Sequence, residues 1–156
     1  MEIIDLITPE RVACCQESTS KERTLEQISQ LLAQSVPQIT VNEVFDSLVG
    51  RERLGSTGLG RGVAIPHGRI DGLQGPAGAF MRLKNGVEFD PLDRKPVDLL
   101  FALLVPQEAA DTHLQLLAQL ARMFSDSTFT QRLRATRNNQ ELYELLRLWE
   151  PDRANA

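Results

Sequence analysis

The chain has 156 residues and a mass of 17.4 kDa, about the size of one domain. With 42% hydrophobic and 24% charged residues, its composition is that of a globular protein and excludes a disordered one. A net charge of −4 argues against binding nucleic acid through bulk positive charge. Because no apolar run approaches the roughly 20 residues that span a bilayer, and no signal-peptide pattern opens the chain, we expect a soluble, cytoplasmic protein.

The two cysteines, Cys14 and Cys15, are adjacent. Neighbouring Cα atoms lie about 3.8 Å apart, which is below the usual disulfide range of about 4.4–6.8 Å. No Cys-x-x-Cys or Cys/His spacing typical of a metal or redox site is present. We therefore expect two unbridged, half-buried side chains and no metal site.

Two helices are predicted near the N-terminus. Capping boxes at Thr19–Glu22 and Thr40–Glu43 mark their starts. Apolar residues follow at helical spacing in both segments. These residues are Leu25, Ile28, Leu31 and Leu32 in the first helix, and Val41, Val44, Phe45, Leu48 and Val49 in the second.

The middle of the chain favours a loop and strands. Gly55–Gly62 is too rich in glycine to continue a helix and leads into a short strand, Val63–Ile65. A second strand is predicted at Ala77–Leu83, followed by a hairpin turn at Lys84–Gly86 and a return strand from Val87. The apolar run Val97–Val105 lacks a polar face, which is typical of a strand buried on both sides.

Three further helices are predicted, with caps at Asp111, Ser127 and Asn138. Their predicted inward residues are Leu114, Leu117, Ala121 and Phe124, then Phe129 and Leu133, then Leu142, Leu145, Leu146 and Trp149. Helices on either side of a buried strand favour an α/β fold with a mixed β-sheet flanked by helices on both faces, an α/β/α sandwich. The strand order does not follow from the pattern.

Two histidines stand out, His67 and His113. His67 lies between Pro66 and Gly68 at the end of a predicted strand, where α/β proteins commonly bind ligands. His113 lies in the first turn of a predicted helix, where free N–H groups and the helix dipole favour an anion. If the two rings meet in space, they form a candidate site for a phosphoryl group. Otherwise His67 is an ordinary turn histidine and His113 a surface residue at a helix end.

The glycine-rich loop resembles a nucleotide-binding P-loop only superficially. The lysine of that motif is replaced by Ser56, and the loop follows a helix instead of a strand, so nucleotide binding is rejected. The backbone amides of Ser56 to Gly60 can still cradle a phosphate. Arg51 and Arg53 can supply a guanidinium there, or simply complete a solvated helix end.

Residues 51–68 read RERLGSTGLGRGVAIPHG and residues 96–106 read PVDLLFALLVP, followed by His113 and Leu114. Both segments closely resemble the signature segments of enzyme IIA proteins of the bacterial phosphotransferase system, fructose/mannitol class. The short chain and the residues of both motifs are similar to those of the nitrogen-regulatory branch of this family. The resemblance covers about residues 4–148, which we take as the domain, and leaves residues 149–156 as an expected flexible tail.

The resemblance implies a mixed sheet flanked by helices, a phosphotransferase activity and specific roles for the site residues. His67 matches the histidine that carries the phosphoryl group on Nε2, and His113 matches the second active-site histidine. Arg51 matches the arginine near the phosphorylated ring, while Ser56 and Thr57 match the loop that faces it. No cofactor or metal is implied.

The implied donor is an HPr-like phosphocarrier of the nitrogen branch, charged from phosphoenolpyruvate by enzyme I. The implied targets are regulated proteins, such as potassium transport proteins or sensor kinases, with no nucleic acid and no membrane insertion. Two alternatives stay open. One is a sugar-uptake enzyme IIA that passes phosphate to a IIB domain, and the other is a binding-only regulator without phosphoryl transfer.

Overall fold

A computed structural model describes residues 2–89 and 94–149, in which five α-helices surround one mixed six-stranded sheet. The helices are α1 (Lys21–Ala33), α2 (Val41–Glu52), α3 (Ala110–Ser125), α4 (Ser127–Arg134) and α5 (Asn139–Leu148). The strands are β1 (Val12–Gln16), β2 (Gly58–Gly60), β3 (Val63–Ala64), β4 (His67–Ile70), β5 (Ala77–Val87) and β6 (Val97–Pro106). None of these helices is long and apolar enough to cross a bilayer.

The strand order across the sheet is β1-β5-β6-β3-β2, with β4 also paired to β6. Strand β6 is antiparallel to β5 and parallel to both β3 and β4. The register offset is the same for the pairs Ala64–Leu100 and His67–Leu103. Strands β3 and β4 are therefore two pieces of one edge along β6, interrupted only at Ile65 and Pro66.

Strand β6 separates two hydrophobic cores, as its apolar sequence predicts. Phe101 and Leu103 face a core completed by α3, α4 and α5, whereas Leu100, Ala102 and Leu104 face a core completed by α1 and α2. Successive side chains of a strand point to opposite faces, so a strand with helices on both sides has no polar face. The predicted α/β/α sandwich is confirmed.

The helix starts agree with the predicted caps in part. Thr40 forms the predicted capping box, and Asn138 accepts a hydrogen bond from the amide of Glu141. The cap of α1 is Ser20, one residue after the predicted Thr19. The cap of α4 is Asp126 instead of Ser127, because the Asp126 carboxylate accepts a hydrogen bond from the amide of Phe129.

The predicted start of α3 is wrong, and its predicted inward face is right only in part. The helix begins at Ala110 after an N-cap that makes no side-chain bond, and Asp111 lies in its first turn. Leu114 and Ala121 are exposed, and Leu117 is half-buried. The buried residues are His113, Leu116, Leu120, Met123 and Phe124. Phe124 is buried as predicted and Leu117 packs against the core, so the error is confined to Leu114 and Ala121.

The predicted hairpin at Lys84–Gly86 is also wrong. These three exposed residues continue β5, which extends to Val87, so there is no return strand from that residue. The register between β5 and β6 shifts between Arg82 and Val87, and Val87 then pairs with Val97. Neither Asn85 nor Gly86 has the positive φ that a tight Asn-Gly hairpin turn requires, so this pair does not form that turn.

The cysteines differ from the expectation as well, because the sulfur atoms of Cys14 and Cys15 are joined in a disulfide. Adjacent side chains in a regular strand point to opposite faces. Here Cys15 has a φ of 63°, and the register between β1 and β5 shifts between Ala13 and Gln16. This bulge turns both sulfurs to one side of the chain.

The predicted tail, residues 149–156, lies outside the described residues except for Trp149. The ring of Trp149 lies 6.3 Å from that of Phe129 and belongs to the core beside α5.

Truncating a side chain at the centre of the sandwich should lower the free energy of unfolding strongly. Phe101 is fully buried, with its ring centroid 6.3 Å from that of Phe80 and 6.4 Å from that of Phe124. We expect Phe101→Ala to lower the free energy of unfolding by about 3–5 kcal/mol. Urea denaturation measures this loss. The control is Leu148→Ala, an exposed site where the change should stay within about 0.5 kcal/mol; similar losses in both variants would contradict the described core.

Candidate active site

His67 is the first residue of β4, directly after the break in the sheet edge. The amide of Leu103 on β6 donates to the carbonyl of Pro66, while Pro66 itself has no N–H to return. The amide of Ile65 points away from β6 and donates a hydrogen bond to the carbonyl of Thr57. The backbone on the N-terminal side of His67 is therefore held by β6 on one side and by Thr57, the residue before β2, on the other.

A hydrogen bond defines the protonation of the His67 ring. Its Nδ1 lies 2.8 Å from the carbonyl oxygen of Ile65. Because a carbonyl can only accept, Nδ1 must carry the proton. In the neutral ring, Nε2 then holds the free lone pair. The geometry therefore presents Nε2 as the nucleophilic nitrogen.

His113 lies against His67, as the phosphoryl-site hypothesis requires. The ring centroids are 5.1 Å apart and the rings are nearly perpendicular, with an interplanar angle of 73°. The side chain of His113 is buried, and its Nε2 has no hydrogen-bond partner. A buried ring nitrogen needs a hydrogen-bond partner, so this face of His113 is suited to a polar contact.

Burial and positive charge keep both rings neutral. Burial lowers the pKa of His67, and the Arg51 charge lowers it further, whereas the Ile65 hydrogen bond and the Glu52 charge oppose this shift. Burial also lowers the pKa of His113, and repulsion from the protonated form of His67 and from the charges of Arg69 and Arg51 lowers it further. A neutral histidine is the form that can act as a nucleophile.

Arg51 lies in the last turn of α2 and acts electrostatically on both histidines. Its guanidinium donates a hydrogen bond of 2.8 Å to the carbonyl of Gly55, which anchors it to the start of the loop. A fixed cation beside a nucleophile stabilises negative charge that arrives there. Arg53 is exposed at the C-cap of α2, where its surroundings are those of a solvated helix end.

Ser56 and Thr57 are structural members of the loop. The Ser56 hydroxyl donates to the carbonyl of Phe89 at 2.7 Å and accepts from the amide of Gly58 at 3.1 Å. The amide and hydroxyl of Thr57 both donate to the carboxylate of Glu52. Because the amides of Thr57 and Gly58 already have acceptors, the predicted phosphate cradle does not form at these two residues.

Glu52 is the residue that the sequence reasoning missed. It is buried and pairs with Lys21 at 2.8 Å in addition to holding Thr57. A signal was present, because an acidic residue at a helix C-terminus and a basic residue at a helix N-terminus both oppose the helix dipole. Glu52 ends α2 and Lys21 begins α1. Two opposite charges, each at a helix end that disfavours it, indicate that the two side chains pair with each other.

The site can therefore receive an anion at a neutral imidazole close to the anchored guanidinium of Arg51. Within residues 2–89 and 94–149, His, Cys, Asp and Glu form no cluster suited to a metal ion. The chemistry available is nucleophilic attack by Nε2 on an electrophile that carries negative charge.

The comparisons with known proteins agree with this geometry. Residues 5–148 match the family described as "Phosphoenolpyruvate-dependent sugar phosphotransferase system, EIIA 2". The chain is 45% identical over 141 residues to the nitrogen regulatory protein of Pseudomonas aeruginosa, which covers 90% of this chain and 92% of that protein. It is also 40% identical to the crystal structure of nitrogen regulatory protein IIA-Ntr from Neisseria meningitidis, with a TM-score of 0.86 over 92% of this chain and 98% of that one.

The crystal structure of IIA mannitol from Escherichia coli shares the fold, with a TM-score of 0.76 at 22% identity over 90% of this chain and 98% of that one. The chain therefore belongs to the type 2 enzyme IIA family of the phosphoenolpyruvate-dependent phosphotransferase system, a family of phosphotransferase components. Within the family, these comparisons show its similarity to nitrogen regulatory proteins.

The lowered pKa values of His67 and His113 predict a defined pH dependence. Both rings should titrate below the ordinary histidine value of about 6.5, so both are neutral at pH 7. Because the unfolded chain binds protons first, the free energy of unfolding should fall as the pH drops below about 6.5. Imidazole NMR titration measures both midpoints, and ¹⁵N shifts report the proton on Nδ1 of His67. Midpoints at or above 6.5, or a proton on Nε2, would contradict this description.

Glu52→Gln tests the buried pair. The amide loses the ion pair with Lys21 and one of the acceptor oxygens that hold Thr57. We expect the free energy of unfolding to fall by about 1–3 kcal/mol, measured by urea denaturation. The control, Glu26→Gln, removes an exposed pair with Arg23 and should cost less than about 1 kcal/mol. Equal costs would show that Glu52 does not hold the loop.

Proposed function

We propose that this protein is a phosphoryl carrier that accepts a phosphoryl group on Nε2 of His67 from an HPr-like phosphocarrier. That carrier receives the group from phosphoenolpyruvate through enzyme I. The observation that carries the proposal is the hydrogen bond from Nδ1 of His67 to the carbonyl of Ile65, which leaves Nε2 unprotonated.

Transfer would proceed in line between two imidazoles. The lone pair of His67 Nε2 forms the new P–N bond while the donor P–N bond breaks, and the donor nitrogen keeps the electron pair. The His67 ring gains positive charge, which the Ile65 carbonyl partly offsets through Nδ1–H. Arg51 stabilises the negative oxygens of the group in transit. His113 is placed to donate from its unpaired Nε2 when that nitrogen carries the proton.

The surface around the histidines supports a protein as the donor. Four large apolar side chains are exposed in the described chain, and three belong to segments of the site. Leu54 follows the end of α2, Leu59 is on β2, and Leu114 is next to His113. Exposed apolar residues around a charged centre are typical of a surface that docks another protein.

The similarity to nitrogen regulatory proteins supports a regulatory role, in which the phosphorylation state of His67 controls the binding of target proteins. Potassium transport proteins and sensor kinases are the target classes that we propose. The second candidate is a sugar-uptake role. It is favoured by the shared fold with the mannitol enzyme IIA seen in complex with phosphorylated enzyme IIB, at 21% identity and a TM-score of 0.72.

The deciding experiment is intact mass spectrometry after incubation with phosphoenolpyruvate, enzyme I and the HPr-like carrier. We expect a gain of one acid-labile phosphoryl group, attached at Nε2 by ³¹P and ¹⁵N NMR. His67→Gln should abolish the gain. His113→Ala should slow it on the order of 100-fold, because it removes one stabilising donor.

Gln115→Ala, an exposed change on the same helix, is the matched control and should leave the rate unchanged. Label retained in His67→Gln would disprove the acceptor assignment. If no label appears while a known enzyme IIA is labelled in parallel, the fold serves binding alone. Passage of the label to a purified IIB domain would support the sugar-uptake role.

A further inference from the structure

The cysteine pair lies at the opposite edge of the sheet from the histidines. Cys14 and Cys15 are in β1, the first strand in the sheet order, whereas the histidine site is beyond β6. Their sulfurs are bonded to each other, and the bulge that brings them together places Cys15 in the left-handed region at a φ of 63°. This backbone is uncommon for a residue other than glycine, and such outliers concentrate at functional positions.

A single cation contacts both sulfurs. The Nη1 atom of Arg82 lies 3.3 Å from Sγ of Cys14 and 3.2 Å from Sγ of Cys15. The same nitrogen donates to the carbonyl of Thr136 at 3.0 Å, which fixes the guanidinium in place. A neighbouring positive charge favours the thiolate over the thiol, and the thiolate is the form that reacts with oxidants.

The surroundings also provide partners for the reduced pair. Sγ of Cys14 lies 3.7 Å from the carbonyl of Thr136, and Sγ of Cys15 lies 3.6 Å from the carbonyl of Arg137. A thiol can donate to a carbonyl, whereas a disulfide has no proton to donate. The site therefore suits both redox states. In the reduced pair, the carbonyls can accept hydrogen bonds from the thiols, and Arg82 can stabilise a thiolate.

An oxidant can reach the pair from solvent. Cys14 and Cys15 line an open cleft of about 450 Å³ together with residues 137–140. Cys14 is buried and Cys15 is half-exposed, so Cys15 is the sulfur that a small oxidant meets first. Cys14 is the adjacent residue and is buried beside it, which is the arrangement of a resolving cysteine next to an attacking one.

We propose that Cys14 and Cys15 form a reversible redox site, in which a peroxide oxidises the dithiol to the vicinal disulfide and a dithiol reductant restores it. The Cys15 thiolate attacks one peroxide oxygen, the O–O bond breaks, and the other oxygen leaves as water after protonation. Cys15 is then a sulfenic acid. Sγ of Cys14 attacks its sulfur, the S–O bond breaks, and a second water leaves. The two sulfurs lose two electrons in total, and the peroxide gains them.

The test uses the full chain, which contains these two cysteines and no others. The reduced protein is treated with hydrogen peroxide and quenched at intervals in N-ethylmaleimide and denaturant, and its intact mass is measured. We expect two maleimide adducts before oxidation and none after it, with a loss of two hydrogen atoms. A dithiol reductant should restore both adducts. Oxidation should be faster in the folded protein than in the same chain in urea.

Arg82→Gln tests the role of the cation. The cation favours the thiolate, but a more stable thiolate is also a weaker nucleophile, so the two effects partly cancel and we expect a net effect of about threefold. The variant should therefore oxidise about threefold more slowly, whereas Arg82→Lys, which keeps the charge, should stay near the original rate. Arg132→Gln, at an exposed position of α4, is the matched control.

Three results would overturn the proposal. They are oxidation of the folded protein no faster than in urea, products that gain oxygen or link two chains, and adducts that a dithiol does not restore. If Arg82→Gln does not fold, the comparison of folded protein with urea and the Arg82→Lys rate still decide the matter. None of these results depends on phosphorylation of His67.

Discussion

The hydrogen bond between Nδ1 of His67 and the carbonyl of Ile65 is the contact on which the site depends. It exists because the sheet edge beside β6 is interrupted for two residues. Pro66 cannot donate to a ladder, and Ile65 turns its carbonyl away from β6, where the next imidazole can reach it. Without this hydrogen bond, no contact within the described residues would fix which nitrogen of the ring carries the proton.

The electrostatics of the site reconcile two opposing requirements. The nucleophile must be neutral at working pH, yet the group that it receives carries negative charge. Burial of His67 meets the first requirement by lowering its pKa, and Arg51 contributes to both, because a nearby cation disfavours the imidazolium and attracts the phosphoryl oxygens. The negative charge of Glu52 raises the pKa of His67 and so opposes Arg51, but this charge is paired with Lys21.

The sequence predicts those features whose physics is local. The capping box at Thr40, the apolar strand β6 and the choice of the two histidines as site candidates each depend on a few neighbouring residues. The structure contains this box and this strand, and it brings the two rings together. The failures depend on tertiary contacts. Lys84–Gly86 has the chemistry of a turn, but pairing with β6 keeps it in strand β5. Glu52 looks like a surface residue until α1 brings Lys21 to it, and the inward side of α3 follows from the contact of His113 with His67.

The path from Glu52 to the nucleophile explains why a buried acid is retained beside a site that receives anions. Glu52 holds the amide and hydroxyl of Thr57, and the Thr57 carbonyl accepts from the amide of Ile65. The Ile65 carbonyl in turn fixes the His67 ring. Removing the carboxylate would relieve some repulsion toward the incoming phosphoryl group but would release the strand that orients Nε2. Because misorientation of a reacting atom by about 1 Å can cost about 100-fold in rate, orientation outweighs the repulsion of a carboxylate that is already paired.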